Sequence, residues 1–271
     1  MAITSLHSPK RRVRFPPRAE ARGFSRKLMN SNSPVLITGA AQRSGYHLAK
    51  YFLENGQPVI FSYRTSKAGV DKLVALGAVA IQADFATDEG ILALIASVKK
   101  QTQSLRAVIH NASDWAADSS DPKAAASVFK QMFQVHQQAP FLINLELESL
   151  LLSGVEETGQ MTDIIHLTDD VVRRGSSKHS AYVASKAALQ NLTLSFASRF
   201  APNIKVNAIA PALLAFNKDD DAAYQKKALA KSPLGITPGF NALTQTVEFL
   251  LNQPYMTGAI LPLNGGRHLL A

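Results

Sequence analysis

The segment Val35-Leu36-Ile37-Thr38-Gly39-Ala40-Ala41-Gln42-Arg43-Ser44-Gly45 decides the fold. Apolar β-forming residues give way to a turn of small residues, and a helix-period stretch follows at once, over about 44–55. A strand that ends in such a turn brings backbone N–H groups and the positive end of a helix to one point, where a pyrophosphate can sit. A plain strand-to-helix turn with two glycines is the alternative. Outward from 35–38, strand-like runs recur at 58–63, 79–83, 107–110, 163–168, 205–209 and 259–262. Helix-period stretches separate them at about 67–76, 88–102, 124–152, 178–200 and 239–252, with a polar insertion near 217–231. Strands alternating with helices predict one α/β domain, a parallel, doubly wound sheet with helices on both faces. Its ligand crevice should open at the carboxyl ends of the strands.

Composition narrows the function. The 271 residues are 46% hydrophobic, ample for a core. No apolar run approaches the roughly 18 residues of a membrane span, and 13 Pro with 15 Gly are too few for a fibrous chain. The lack of cysteine excludes disulfides, thiolate catalysis and Cys-ligated metal, and suits a cytoplasmic setting. Net charge is +9, but residues 1–28 hold eight Lys/Arg against one acid, so the remainder carries only +2. No nucleic-acid role is expected of that remainder. Residues 1–28, aperiodic and without an apolar signal core, are expected to be a disordered basic extension ahead of a 29–271 domain. A natural arm, a targeting-like segment, or an upstream start with Met29 as the real beginning are the alternatives.

Two further motifs bear on chemistry. After the second strand, Ser62-Tyr63-Arg64-Thr65-Ser66 has no carboxylate to hold a ribose diol. Arg64 with the Thr65 and Ser66 hydroxyls instead suits a 2′-phosphate, so NADPH is the expected cofactor; an ordinary surface Arg is the other reading. Tyr182-Val183-Ala184-Ser185-Lys186 sets a phenol and an ammonium on one helix face. The ammonium is expected to pull the Tyr182 pKa down towards working pH, making it a proton donor and acceptor.

Together with Asn111-Ala112, Thr257-Gly258 and Gly265-Gly266, these motifs resemble the short-chain dehydrogenase/reductase family over residues 34–268. The resemblance implies a single Rossmann-fold domain with a seven-stranded sheet. Arg43 stands where the family usually has its middle glycine, Asp169 where it has a catalytic serine, and His136 where it has a supporting asparagine. With Ser113-Asp114-Trp115, these departures resemble the pteridine reductase branch. The resemblance implies NADPH-dependent reduction of the C=N bond of a 7,8-dihydropterin, with hydride to C6 and a proton to N5, dihydromonapterin ahead of dihydrofolate. Tyr182, Lys186 and Asp169 are then the catalytic candidates. Gly39, Arg43, Ser44, Gly45, Arg64, Thr65, Asp84, Phe85, Asn111, Ala112, Ser113, Lys186 and Pro211 would hold the cofactor. Arg43, Ser113, Trp115, Asp169 and Tyr182 would hold the pterin, with Arg43 bridging pyrophosphate and the pterin's carbonyl edge.

Each departure has a physical use. Trp115 can stack on a flat heterocycle, or be a packing tryptophan. Asp169 can accept from the pterin amino group or from Tyr182, but unprotonated it cannot stabilise a carbonyl oxyanion as serine does. That argues against the first rival, a general carbonyl or 3-oxoacyl reductase. The second rival is a non-catalytic NADPH-binding protein, against which the retained Tyr182 and Lys186 speak. His136 either anchors a water in a relay to Lys186 or is a satisfied core histidine. His110, His166 and His179 lack metal-ligand spacing, so no metal is expected. Asp219-Asp220-Asp221 reads as a solvated loop placed like a lid, and Asn264 as structural. A homotetramer or dimer through the long helices is implied, with no membrane partner.

Overall fold

The computed structural model describes residues 32–270, and the expected extension at 1–28 lies outside them. Its elements are β1 (Val35–Ile37), α1 (Arg43–Glu54), β2 (Val59–Tyr63), α2 (Ala68–Ala75), β3 (Val79–Gln82), α3 (Asp88–Gln101) and β4 (Ala107–His110). Then come α4 (Pro122–Phe133), a π-helical turn (Gln134–Gln138), α5 (Ala139–Glu146), α6 (Glu148–Thr158) and β5 (Thr162–Leu167). The chain closes with α7 (Ser180–Phe200), β6 (Ile204–Pro211), α8 (Ala222–Leu229), α9 (Phe240–Asn252) and β7 (Ile260–Leu263). All seven strands are parallel in the order β3-β2-β1-β4-β5-β6-β7. The order reverses between β1 and β4, which opens a crevice at their carboxyl ends.

Successive strand residues point to opposite faces, so one apolar run feeds two cores. Leu36, Val108 and Ile164 face Ile91 and Leu94 of α3, Ile143 of α5 and Phe196 of α7. Val35, Ile37 and Ile109 face Leu48 and Phe52 of α1 and Leu243 and Val247 of α9. Within β5, Asp163 is buried between Arg106 at 2.7 Å and Lys205 at 2.6 Å. The two cations also donate to the Leu251 and Leu250 carbonyls at the end of α9, at 3.2 Å and 2.9 Å.

Two helix expectations need correction. The stretch 124–152 is not one helix: it starts at Pro122 behind an Asp121 cap, which accepts from Ala124 N–H at 2.8 Å. The stretch passes through the π turn, breaks at Leu147 and runs on to Thr158. Gly159 then ends it in the left-handed region at φ +66. The insertion at 217–231 contains α8, whose first turn is capped by Asp221 through a 2.7 Å bond from Tyr224 N–H. So the Asp219-Asp220-Asp221 run is in part a helix cap.

Candidate active site

The nucleotide turn is tied to its neighbours by short polar bonds. The Thr38 hydroxyl accepts from the Asn111 and Ala112 amides, both at 3.0 Å. Asn111 Nδ2 donates to the carbonyls of Thr38 (3.0 Å) and Gly39 (2.8 Å), and Ser44 donates to Asn111 Oδ1 at 2.7 Å. The glycines permit this closeness: Gly39 has φ +70, and a Cβ there would lie 2.7 Å from Ala112 Cα. A Cβ on Gly45 would lie 2.5 Å from Asn111 Nδ2. Gly45 thus supports the turn from behind rather than facing a ligand.

In front of this turn lies a crevice of about 480 Å³. It is lined by Gly39, Arg43, Ser44, Arg64, Thr65, Asp84, Phe85, Asn111, Ala112 and Ser113, all expected from sequence. Lys67 and Asp114 line it too, and sequence reasoning missed both. Lys67 carried no motif signal. Asp114, beside the singled-out Trp115, binds Arg64 at 3.0 Å. A nicotinamide dinucleotide fits here on two counts. The first turn of α1 has no side-chain cap, leaving its amides for an anion. Arg43, Arg64 and Lys67 add cations, and no carboxylate ends β2 where ribose hydroxyls would need one.

Arg43 also ties the crevice to a neighbouring loop. It is the sole non-glycine with positive φ (+51) among the described residues. Its guanidinium is held by Asn217, by the Ala215 carbonyl at 3.1 Å, and 5.6 Å over the Phe240 ring. So it lines the crevice while clasping the loop after β6.

The catalytic candidates Asp169, Tyr182 and Lys186 stand outside that lining, with Tyr182 next to Ser113. Asp169 Oδ1 accepts from Val171 N–H at 2.8 Å, which fixes the carboxylate, and Oδ2 accepts the Tyr182 hydroxyl at 2.9 Å. Lys186 is buried and donates to the Leu167 carbonyl at 3.0 Å, with Nζ 5.8 Å from the Tyr182 ring centroid. The expected fall in the Tyr182 pKa is overturned. Burial, then the Asp169 charge and its hydrogen bond, push the phenol well above its ordinary value. Burial brings Lys186 down to about 8, partly offset by Asp169. Helical spacing reveals the ammonium but neither the burial nor the carboxylate.

His136 resolves as the satisfied reading. It lies buried in the π turn, a feature common at functional sites. Nε2 accepts from Asp114 N–H at 3.1 Å and lies 2.9 Å from the Ser113 hydroxyl. Nδ1 therefore carries the proton, 2.8 Å from Ser185 Oγ, which donates to the Tyr182 carbonyl at 2.7 Å. Burial, then the Lys186 charge, lowers its pKa to about 2. Both ring nitrogens are used, leaving none to anchor a relay water. His136 instead locks the 113–114 loop to α7.

Trp115 is 60% exposed, so it is not a packing tryptophan. Its ring lies 3.9 Å from that of His179 and 4.7 Å, edge-on, from that of Tyr182. His179 Nδ1 lies 3.0 Å from the Ala116 carbonyl, so a residue read as structural braces the indole. Pro211 closes β6, outside the crevice lining. His110 and His166 are joined through Asn144 at 2.7 Å and 3.1 Å, a buried polar chain. No metal-binding cluster occurs among the described residues. No described helix is long and apolar enough to cross a membrane.

A family model described as enoyl-(acyl carrier protein) reductase matches residues 39–268. Dihydromonapterin reductase of Klebsiella pneumoniae subsp. pneumoniae is 49% identical over 236 residues, 87% of this chain and 97% of that protein. The crystal structure of FolM alternative dihydrofolate reductase 1 from Brucella canis, complexed with NADP, superposes with a TM-score of 0.77 at 26% identity. It covers 89% of this chain and 96% of that one. An NADPH-dependent 3-quinuclidinone reductase from Rhodotorula rubra has a TM-score of 0.81 at 22% identity, covering 97% of this chain and 100% of that one, and shares the fold. Matches of this length and identity establish that the chain belongs to the short-chain dehydrogenase/reductase family.

Proposed function

We propose that the chain is an NADPH-dependent dihydropterin reductase, acting on dihydromonapterin ahead of dihydrofolate. The observation that carries this reading is the Asp169 carboxylate bonded to the Tyr182 hydroxyl beneath an exposed indole. That arrangement suits a flat base with an amino edge and suits a ketone poorly, because a carboxylate repels the oxyanion of carbonyl reduction. The 49% identity to a dihydromonapterin reductase supports the same reading.

NADPH, when bound, supplies the hydride, so the chain's own work is positioning and proton supply. The α1 amides with Ser44 would take the pyrophosphate, and Arg64 with Thr65 and Lys67 the 2′-phosphate. Lys186 would hold the nicotinamide ribose. Trp115 would cover the pterin face, while Asp169 and Tyr182 bind its polar edge and pass the proton destined for N5. The Ser113 hydroxyl donates to His136 Nε2, so towards the pterin ring it would act as an acceptor. The oxidation of NADPH should be followed with dihydromonapterin, dihydrobiopterin, dihydrofolate and a 3-oxoacyl thioester. Turnover confined to the thioester overturns the reading, and turnover of nothing favours the non-catalytic rival.

Two variants probe the halves of the site. Trp115→Ala should raise the KM for dihydropterin roughly tenfold, the scale of a lost stacking contact, and leave the KM for NADPH unchanged. Unaltered pterin kinetics would remove the indole from the substrate site. Arg64→Leu should cut kcat/KM for NADPH by about 10- to 100-fold, the value of a charge-assisted hydrogen bond, without lowering that for NADH. Equal losses with both cofactors would show that Arg64 does not read the 2′-phosphate.

The exposed Phe129 of α4, Phe141 of α5 and Leu194 of α7 support assembly as a dimer or tetramer through these helices. The absence of cysteine supports a cytoplasmic location.

A further inference from the structure

The Arg64–Asp114 ion pair joins two walls of the crevice. Arg64 follows β2 and Asp114 follows β4, with β1 and its nucleotide turn between those strands, so the 3.0 Å contact reaches across the turn. The two partners are held unequally. Asp114 Oδ2 also takes the Gln131 amide of α4, Oδ1 accepts from Trp115 N–H at 3.1 Å, and the Asp114 N–H donates to His136 Nε2 at 3.1 Å. The Arg64 side chain is 55% exposed against 17% for Asp114, and Asp114 is the one acid paired with it among the described residues. Arg64 is therefore the partner able to swing away. A guanidinium offers the same forked donors to a carboxylate and to a phosphate, so an arriving 2′-phosphate and Asp114 are rivals for one cation. A pair this open to water holds weakly, and a phosphate of about −2 charge outweighs a carboxylate, with Thr65 and Lys67 beside it in the crevice lining. The exchange is favourable, but Asp114 opposes it.

We infer that Asp114 is a specificity-determining residue: it holds Arg64 in the free enzyme and competes with the 2′-phosphate for it, which lowers affinity for NADPH and leaves that for NADH alone. The inference rests on the assignment of Arg64 to the 2′-phosphate above and deepens it. NADH presents a hydroxyl there and makes no claim on the guanidinium, so the ion pair persists when NADH binds. NADPH must break it. The same contest runs in reverse when NADP⁺ leaves, because Asp114, still fixed by Gln131 and by the Trp115 amide, stands ready to retake Arg64. The carboxylate thus trades cofactor affinity for release.

A double-mutant cycle on the Kd for NADPH and for NADH, read from the fluorescence of the reduced nicotinamide, tests this with wild type, Asp114→Asn, Arg64→Leu and the pair together. Asn keeps the shape of Asp114 and can still accept from the Trp115 amide, so the charge alone is removed. Asp114→Asn should tighten NADPH by about two- to fivefold, the range of an exposed ion pair, and change NADH by less than about 1.5-fold. The dissociation rate of NADP⁺ should fall by the same factor as the NADPH Kd. In the Arg64→Leu background the gain should vanish, since there is no cation left to contest. Equal tightening of both cofactors, no tightening of either, or a gain that survives in Arg64→Leu overturns the competition, the last because it would mark plain repulsion of phosphate by Asp114. Should Asp114→Asn fail to fold, Asp114→Ser, which also lacks the charge, is judged by the same criteria. Arg64→Leu binding NADPH as tightly relative to NADH as wild type would instead bring down the assignment of Arg64, and the competition with it.

Discussion

Tyr182→Phe is expected to lower kcat for dihydropterin reduction by about 10²- to 10⁴-fold, the span commonly lost with a positioned acid–base group, at unchanged NADPH KM. Phenylalanine keeps the ring, and with it the edge contacts to Trp115 at 4.7 Å and His136 at 5.4 Å, so the site walls should persist. What disappears is the hydroxyl that bonds Asp169 at 2.9 Å. Burial and that carboxylate raise the phenol pKa, so an isolated phenolate is disfavoured there. On the proposed reading Tyr182 would release a proton only as another reaches it, and partly exposed Asp169, its hydrogen-bond partner, would be the contact through which one arrives. Asp169→Asn should then also slow turnover, while the phenol pKa falls because a raising charge is gone. Lys186 adds a pH signature. Its folded pKa of about 8 lies below the ordinary lysine value, so the ammonium is present below that pH and lost above it. Wild-type kcat should decline as pH rises through about 8. Single-turnover rates isolate the chemical step, and a Tyr182→Phe rate equal to wild type would remove the phenol from the proton path.

The sheet was legible because its central strands are apolar on both faces, as in the fully buried Val35–Ile37 and Ala107–His110. The turn was legible because Gly39 and Gly45 are demanded by close backbone approach, which leaves a mark in sequence. Hydrophobic period misled in the 124–152 stretch, since apolar positions continue across a π turn and do not register a change from i−4 to i−5 bonding. Helix α8 was missed for the opposite reason: it has no buried residue, hence no apolar stripe, and its one signal was the Asp221 cap. Residue types at the site could be read, but not their charge states. Tyr182 and Lys186 announce themselves by spacing, while the raised phenol pKa depends on burial and on Asp169, thirteen residues away and brought near by β5 and α7.

Asp163→Ala should destabilise the fold by about 3–5 kcal/mol, the usual cost of stripping the partner from a buried charge. That is a large part of a typical domain's roughly 5–15 kcal/mol. The carboxylate holds Arg106 and Lys205 at 2.7 Å and 2.6 Å, and its removal leaves two buried cations with only carbonyl partners. Those carbonyls belong to Leu250 and Leu251 at the negative end of the α9 dipole, which complements the cations but cannot replace a full charge. The damage should reach the crevice, because Phe240 at the other end of α9 lies under the Arg43 guanidinium that clasps the loop after β6. Urea unfolding followed by far-ultraviolet circular dichroism gives the stability, and NADPH KM in native buffer gives the effect on the crevice. A comparison separates charge from packing. Replacing the triad together, as Asp163→Leu with Arg106→Met and Lys205→Met, should cost less than Asp163→Ala alone, since no unpaired charge then remains buried. A triple variant less stable than the single one would show that the triad's geometry, rather than its charge balance, holds β4, β5 and β6 to α9.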